Sequence, residues 1–111
     1  MELDMHEARG VTVLALQGRI TMGEGDIALR EAVSDLLETG TRNILIDLGK
    51  VTFIDSFGIG QLIGCFVTVT NQGGLLKLCE LSSRMSSILQ ITKLNTVFEV
   101  YPSEAEAMDS F

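Results

Sequence analysis

Hydrophobic and polar positions along this chain change period several times, and each change marks an element. Leu3 and Met5 share one face of residues 2–7, Arg9-Gly10 is a turn signal, and residues 11–17 (Val-Thr-Val-Leu-Ala-Leu-Gln) are strand-like, so the opening predicts a β-hairpin ended by Gly18. Leu29, Ala32, Val33, Leu36 and Leu37 then fall at i, i+3, i+4, i+7 and i+8. That spacing predicts an amphipathic helix over about residues 25–39, with Arg30, Glu31, Asp35 and Glu38 on its wet side and Gly40 as its C-terminal cap.

The next run, Asn43 to Leu48, is short and nearly continuously apolar, which suits a central strand covered on both faces. After Gly49-Lys50, Val51 to Ile54 form a further short extended piece. From Phe57 to Asn71 the period becomes helical through Ile59, Leu62, Ile63, Phe66 and Val69. Gly60 and Gly64 lie four apart in that helix and are expected to let it pack closely on the sheet, and Gly73-Gly74 end it. Leu75 to Cys79 form the next strand, so strands 43–48 and 75–79 are predicted parallel with a right-handed crossover. Ser82 or Ser83 caps a third helix that turns Met85, Ile88 and Leu89 inward. Thr96 to Tyr101 is a late strand, and Ser103-Glu104-Ala105-Glu106 is a capping-box pattern opening a last helix. The order ββαβαβαβα predicts an α/β fold: a single mixed β-sheet with helices packed on it, in one domain spanning residues 1–111.

Composition narrows the functional classes. Hydrophobic residues make up 46% of the chain, above what a disordered segment carries. The net charge is −7 and the pI about 4.5, a balance that repels phosphate backbones and anionic lipid headgroups, so no nucleic-acid partner is expected. The start Met1-Glu2-Leu3-Asp4 is acidic and unlike a signal peptide, and the run Leu62 to Val69 is far short of the ~20 residues a membrane helix needs. A cytoplasmic protein without direct membrane insertion is expected. Cys65 and Cys79 read as buried small hydrophobes rather than a disulfide. With one histidine and no CxxC spacing, no metal site and no cofactor are predicted.

The most informative stretch is Phe53-Ile54-Asp55-Ser56-Phe57-Gly58-Ile59-Gly60, where a strand ends and the second helix begins. Ligand sites of α/β proteins fall at this edge of a parallel sheet. The unpaired N–H groups and the dipole of the helix favour an anion there, including a phosphate on Ser56. The structural reading of the same residues is that Asp55 or Ser56 caps the helix. The two roles are compatible, since both use the same free N–H groups. A phosphate would also bring charge onto a surface made apolar by Phe57, Ile59 and the Gly58–Gly60 pair. Hydrolase chemistry is disfavoured. Ser56-x-Gly58 is half of a nucleophile elbow, but Ile54 stands where its first glycine belongs, and the only histidine, His6, lies on the first strand. No Gly-Lys-Ser/Thr follows the glycines, so they form no P-loop. No catalytic residue is assigned, and the chain is expected not to be an enzyme.

At these residues the sequence resembles the STAS domains, and among them the bacterial anti-sigma factor antagonists. The resemblance runs from the opening hairpin and Gly18 through Ile44-Leu45-Ile46-Asp47-Leu48, Val51-Thr52-Phe53-Ile54-Asp55-Ser56, Gly58-Ile59-Gly60 and Gly73-Gly74 to the last strand and helix. It implies a partner-switching cycle in transcription regulation. An anti-sigma factor that is also a serine kinase phosphorylates the serine after the aspartate, here Ser56. The unphosphorylated antagonist holds the kinase and frees the sigma factor, the phosphorylated form releases it, and a PP2C-type phosphatase resets the cycle. ATP and magnesium belong to the kinase, so this chain needs no cofactor. The implied partner-binding residues are Asp55, Ser56, Phe57, Gly58, Ile59, Gly60 and Thr21. Two positions depart from the family pattern. Phe57 stands where antagonists often carry Ser or Thr, and Thr21 stands where an acidic residue often follows Gly18. The competing reading is a constitutive STAS docking subunit of an ABC-type (lipid) transporter. A ligand-sensing STAS domain ranks last, because no residue pattern specifies a small-molecule pocket.

Overall fold

The computed structural model describes residues 1–111 and builds one mixed sheet in the order β1-β2-β3-β4-β5. Strand β1 (Glu2–Ala8) pairs antiparallel with β2 (Val11–Ile20), and β2, β3 (Asn43–Ile54), β4 (Leu75–Cys79) and β5 (Val100–Tyr101) are parallel neighbours. Helices α1 (Asp26–Glu38), α2 (Ser56–Asn71), α3 (Ser83–Ile91) and α4 (Glu104–Ser110) fill the connections and the C-terminal end, giving the predicted order ββαβαβαβα.

The apolar run of β3 is buried on both faces for a visible reason. Ile44, Ile46 and Leu48 join Leu14, Leu16, Leu76 and Leu78 under the apolar stripes of α1, α2 and α3. Leu45 faces the other way, into a smaller cluster with Val11, Val13 and Cys79 that Ala107 of α4 covers. Both cysteines are buried free thiols, as expected. Burial pushes Cys65 up to about 11; burial and then the carboxylates of Asp47, Glu104 and Glu80 push Cys79 up to about 12. Neither is a thiolate at neutral pH, so neither is a ready nucleophile. Beneath α4, buried Lys77 donates to the carbonyl and hydroxyl of Ser110, 2.8 and 3.0 Å away. His6, on exposed β1, reaches Glu104 at 3.0 Å and so ties the edge strand to α4.

Helices α1 and α2 end as glycine-terminated motifs. Gly40 (φ +95°) lets Thr41 N–H donate to the Leu36 carbonyl, and Gly73 (φ +80°) lets Gly74 N–H donate to that of Val69. Ser82, not Ser83, caps α3 through Met85 N–H, and Ser103 caps α4 through Glu106 N–H.

Four features differ from the sequence reading. Strand β2 does not stop at Gly18; it passes through that residue at φ +100° and continues to Ile20. Residues 43–48 and 51–54 are one strand, because β3 absorbs extra residues opposite β2, between Ala15 and Gln17 and again between Gly18 and Arg19. The late strand shrinks to Val100–Tyr101. A 3₁₀ turn occupies Leu94–Thr96, and Phe98 leaves the sheet direction to stack edge-on against Phe66, ring centroids 5.4 Å apart. Gly60 and Gly64 do not pack on the sheet. Both are exposed, and a Cβ on Gly60 would meet nothing within 4 Å.

Candidate functional site

Central strand β3 delivers Asp55 and Ser56 to the start of α2. Asp55 is the N-cap: its extended backbone (φ −101°, ψ −175°) aims one carboxylate oxygen at Gly58 N–H, 2.9 Å away. The other oxygen accepts from Met22 N–H at 3.1 Å, which pins the β2–α1 loop to the start of α2. The Asp55 N–H in turn donates to the Ile20 carbonyl at 3.3 Å. Two chain segments more than thirty residues apart thus meet through one side chain and one backbone bond.

Electrostatics follow from that geometry. The Gly58 N–H above all, with a lesser contribution from the Met22 N–H, holds the Asp55 carboxyl below its ordinary value of 3.8, against an upward push from desolvation that is second in size to the Gly58 bond. A carboxylate whose folded pKa is depressed contributes stability in full above that ordinary value, and the contribution is lost as pH falls below 3.8 through the folded pKa. Asp55→Ala is therefore expected to lower the urea midpoint at pH 7 with little change in slope. The deficit relative to wild type should shrink as the pH is taken below 3.8. Urea titrations of both proteins across that range check it; a pH-independent difference would mean that the cap works without its charge.

Ser56 is the first residue of α2 and is exposed. Its own N–H and that of Phe57 lie in the first turn, which has no intrahelical acceptors. Its hydroxyl is solvent-exposed and lies at the positive end of a sixteen-residue helix.

The remaining predicted residues separate into two sets. Phe57 and Gly60 point outward, Phe57 with 55% of its surface exposed. Gly58 is buried, wedged so tightly that a Cβ would lie 2.2 Å from the Ile20 carbonyl oxygen, and half-buried Ile59 packs on the main core. Thr21 is committed to its own loop. Its carbonyl accepts from the N–H groups of Glu24 and Gly25, and its hydroxyl donates to Glu24 Oε2 at 3.3 Å. Glu24, in the same loop, also lies 3.7 Å from Arg19. Sequence reasoning missed Met22, which is 64% exposed beside Asp55. No periodic signal marks a lone loop methionine, and only the long-range Asp55 bond reveals its position.

A mixed five-stranded sheet whose central strand carries an Asp-Ser pair to the start of a helix defines a STAS-like α/β domain. The chain belongs to the STAS domain family, whose profile matches residues 2–107. It is 38% identical over 82 residues to the anti-sigma-B factor antagonist of Bacillus subtilis (strain 168), covering 70% of this chain and 74% of that protein. Its fold resembles the crystal structure of a putative anti-sigma factor antagonist from Thermotoga maritima, with a TM-score of 0.90 and 23% identity over 97% of this chain and 92% of that one. It also resembles the phosphorylated form of the Bacillus cell fate determinant SpoIIAA, with a TM-score of 0.75 and 22% identity over 98% of each chain.

Proposed function

We propose that this protein is an anti-sigma factor antagonist that binds an anti-sigma factor serine kinase and releases it when Ser56 is phosphorylated. The observation that carries this reading is the exposed, unpartnered Ser56 hydroxyl at the start of α2, beside an Asp55 whose carboxylate is already occupied by two backbone donors. Phosphate there gains the helix N-terminus and the free first-turn N–H groups, so the fold tolerates it. The same phosphate adds a charge of about −1.5 to −2 beside exposed Phe57 and Met22, on a chain already at −7. An apolar partner surface would have to desolvate that charge, and it lets go instead. Likeness to an antagonist from Bacillus subtilis, and to a fold solved with phosphate attached, supports the same reading. A PP2C-type phosphatase would reset the cycle, in the cytoplasm.

The test is incubation with ATP, magnesium and each serine kinase of the host, followed by mapping of added phosphate. One phosphate, on Ser56, accompanied by loss of kinase binding, is the expected result. No modification by any kinase would replace the switch with a constitutive docking role.

Phe57 sets partner choice in this reading. As an exposed aromatic at the edge of the site it is the kind of anchor that fills a partner's pocket. Phe57→Ser is expected to change folding stability by no more than about 0.5 kcal/mol. Affinity for the cognate kinase should fall roughly tenfold or more. Titration calorimetry on both proteins decides; unchanged affinity would place the anchor elsewhere.

A further inference from the structure

The lower half of β3 has a neighbour on one side only. Its pairing with β4 ends at Asp47 and Cys79, after which Glu80 (φ +62°) turns the chain away, while β3 runs on to Ile54 along β2 alone. Beside this open edge lies a groove of about 310 Å³ between β3 and α3, lined by Val51, Ile54, Met85 and Ile88 and by Arg84. Arg84 sits in the first turn of α3, where a cation opposes the helix dipole, and that turn holds no acidic residue. Neither Arg84 nor Lys50, at the head of the open edge, belongs to any of the four ion pairs of the chain. In a protein of net charge −7, this groove is lined by a cation, Arg84, and by no carboxylate.

We propose that this groove receives an extended acidic-apolar peptide segment of a partner protein, which adds as a strand to the open edge of β3 and pairs a carboxylate with Arg84. Backbone groups on an unpaired strand edge supply the hydrogen bonds of such an addition, and pockets for alternate side chains supply its selectivity. The volume lies at the bottom of the range for ligand pockets, roughly 300–1,000 Å³, which suits one or two side chains rather than a whole small molecule. The Arg84 cation beside apolar Val51 and Met85 asks for valine- or isoleucine-sized groups followed by an acid. The inference does not depend on phosphorylation of Ser56. It adds a second interaction surface, reached along the same strand that carries the first.

The test is a titration of the full ¹⁵N-labelled chain with a synthetic peptide, Ac-Glu-Val-Thr-Val-Thr-Val-Glu-NH₂, followed by amide chemical shifts. The expected result is perturbation confined to residues 50–54 and 82–88. Binding should weaken at least tenfold in Arg84→Glu and with a lysine-ended version of the peptide. Arg84→Glu puts an acid where the helix dipole favours one, so the variant folds. Four outcomes overturn the proposal: no perturbation at about 1 mM peptide, which excludes even weak binding; perturbation centred on α2; unchanged affinity in Arg84→Glu; or concentration-dependent shifts of the same amides without peptide, which assign the edge to a second copy of the chain.

Discussion

Ser56→Asp is expected to bind the anti-sigma factor kinase about 100-fold more weakly than wild type or worse, and Ser56→Ala to bind at least as tightly and to stay bound when ATP is added. An unpaired charge buried in an interface costs about 3–5 kcal/mol. Each 1.4 kcal/mol is tenfold in affinity, so a hundredfold loss is the lower end of that range. Around Ser56 the helix N-terminus compensates only a small part of the charge once water is excluded: Asp55 repels it, and Met22 and Phe57 are apolar and exposed. The fold does not suffer, because an anion in the first turn of α2 gains about 0.3–1 kcal/mol from the helix N-terminus. Aspartate carries less charge than phosphate, so the true phosphorylated form releases its partner more completely than the variant. Surface plasmon resonance on immobilised kinase, with thermal unfolding of each variant beside it, separates the two effects. Equal binding of both variants would remove Ser56 from the switch.

Gly58 and Gly60, two residues apart, are expected to answer the same substitution in opposite ways. At Gly58 a methyl group would sit 2.2 Å from the Ile20 carbonyl oxygen and 2.7 Å from Ile54 Cγ1, so backbone must move. Overpacking of this kind costs about 1–3 kcal/mol, occasionally more, and the roughly 1 kcal/mol helix preference for alanine offsets only part of it. The displaced group also braces the candidate site. The Ile20 carbonyl holds Asp55 N–H, so Gly58→Ala should loosen the joint between the β2–α1 loop and α2 and reduce kinase binding together with stability. Gly60 has open space around it, and alanine there should stabilise the fold by about 0.5–1 kcal/mol through reduced chain entropy alone. If α2 is the face that meets the kinase, the same variant loses affinity despite its gain in stability. Urea unfolding and kinase titration of the two variants form one experiment. A Gly60→Ala protein that is both more stable and fully binding would move the docking face off α2.

Much of this was legible along the chain. The helical spacing of Leu29, Val33, Leu36 and Leu37 and the glycines at 40 and 73 located α1 and the ends of two helices, because helix periodicity and C-terminal capping are local effects. The Asp-Ser pair at a strand-to-helix junction was equally visible, since both elements announce themselves within ten residues of it. Less legible were features that depend on a neighbour distant in sequence. Gly49-Lys50 reads as a break in alternation, yet β2 pairs with β3 on both sides of it by a shift of register. Phe98 has strand-like neighbours but follows Phe66 into the core.

By itself the sequence determined the element types and their order, the two-faced burial of residues 43–48, an acidic surface, and a serine standing at the first turn of a helix. These follow from period, capping chemistry and charge, which act over a few residues or over the whole composition. Only the tertiary structure decided the rest: that Asp55 rather than Ser56 is the cap, that Met22 hangs from it, that Gly58 packs while Gly60 faces outward, and that β3 outruns β4 and leaves an edge open. Each of those depends on where a second segment passes, and sequence spacing carries no record of that distance until the sheet has formed.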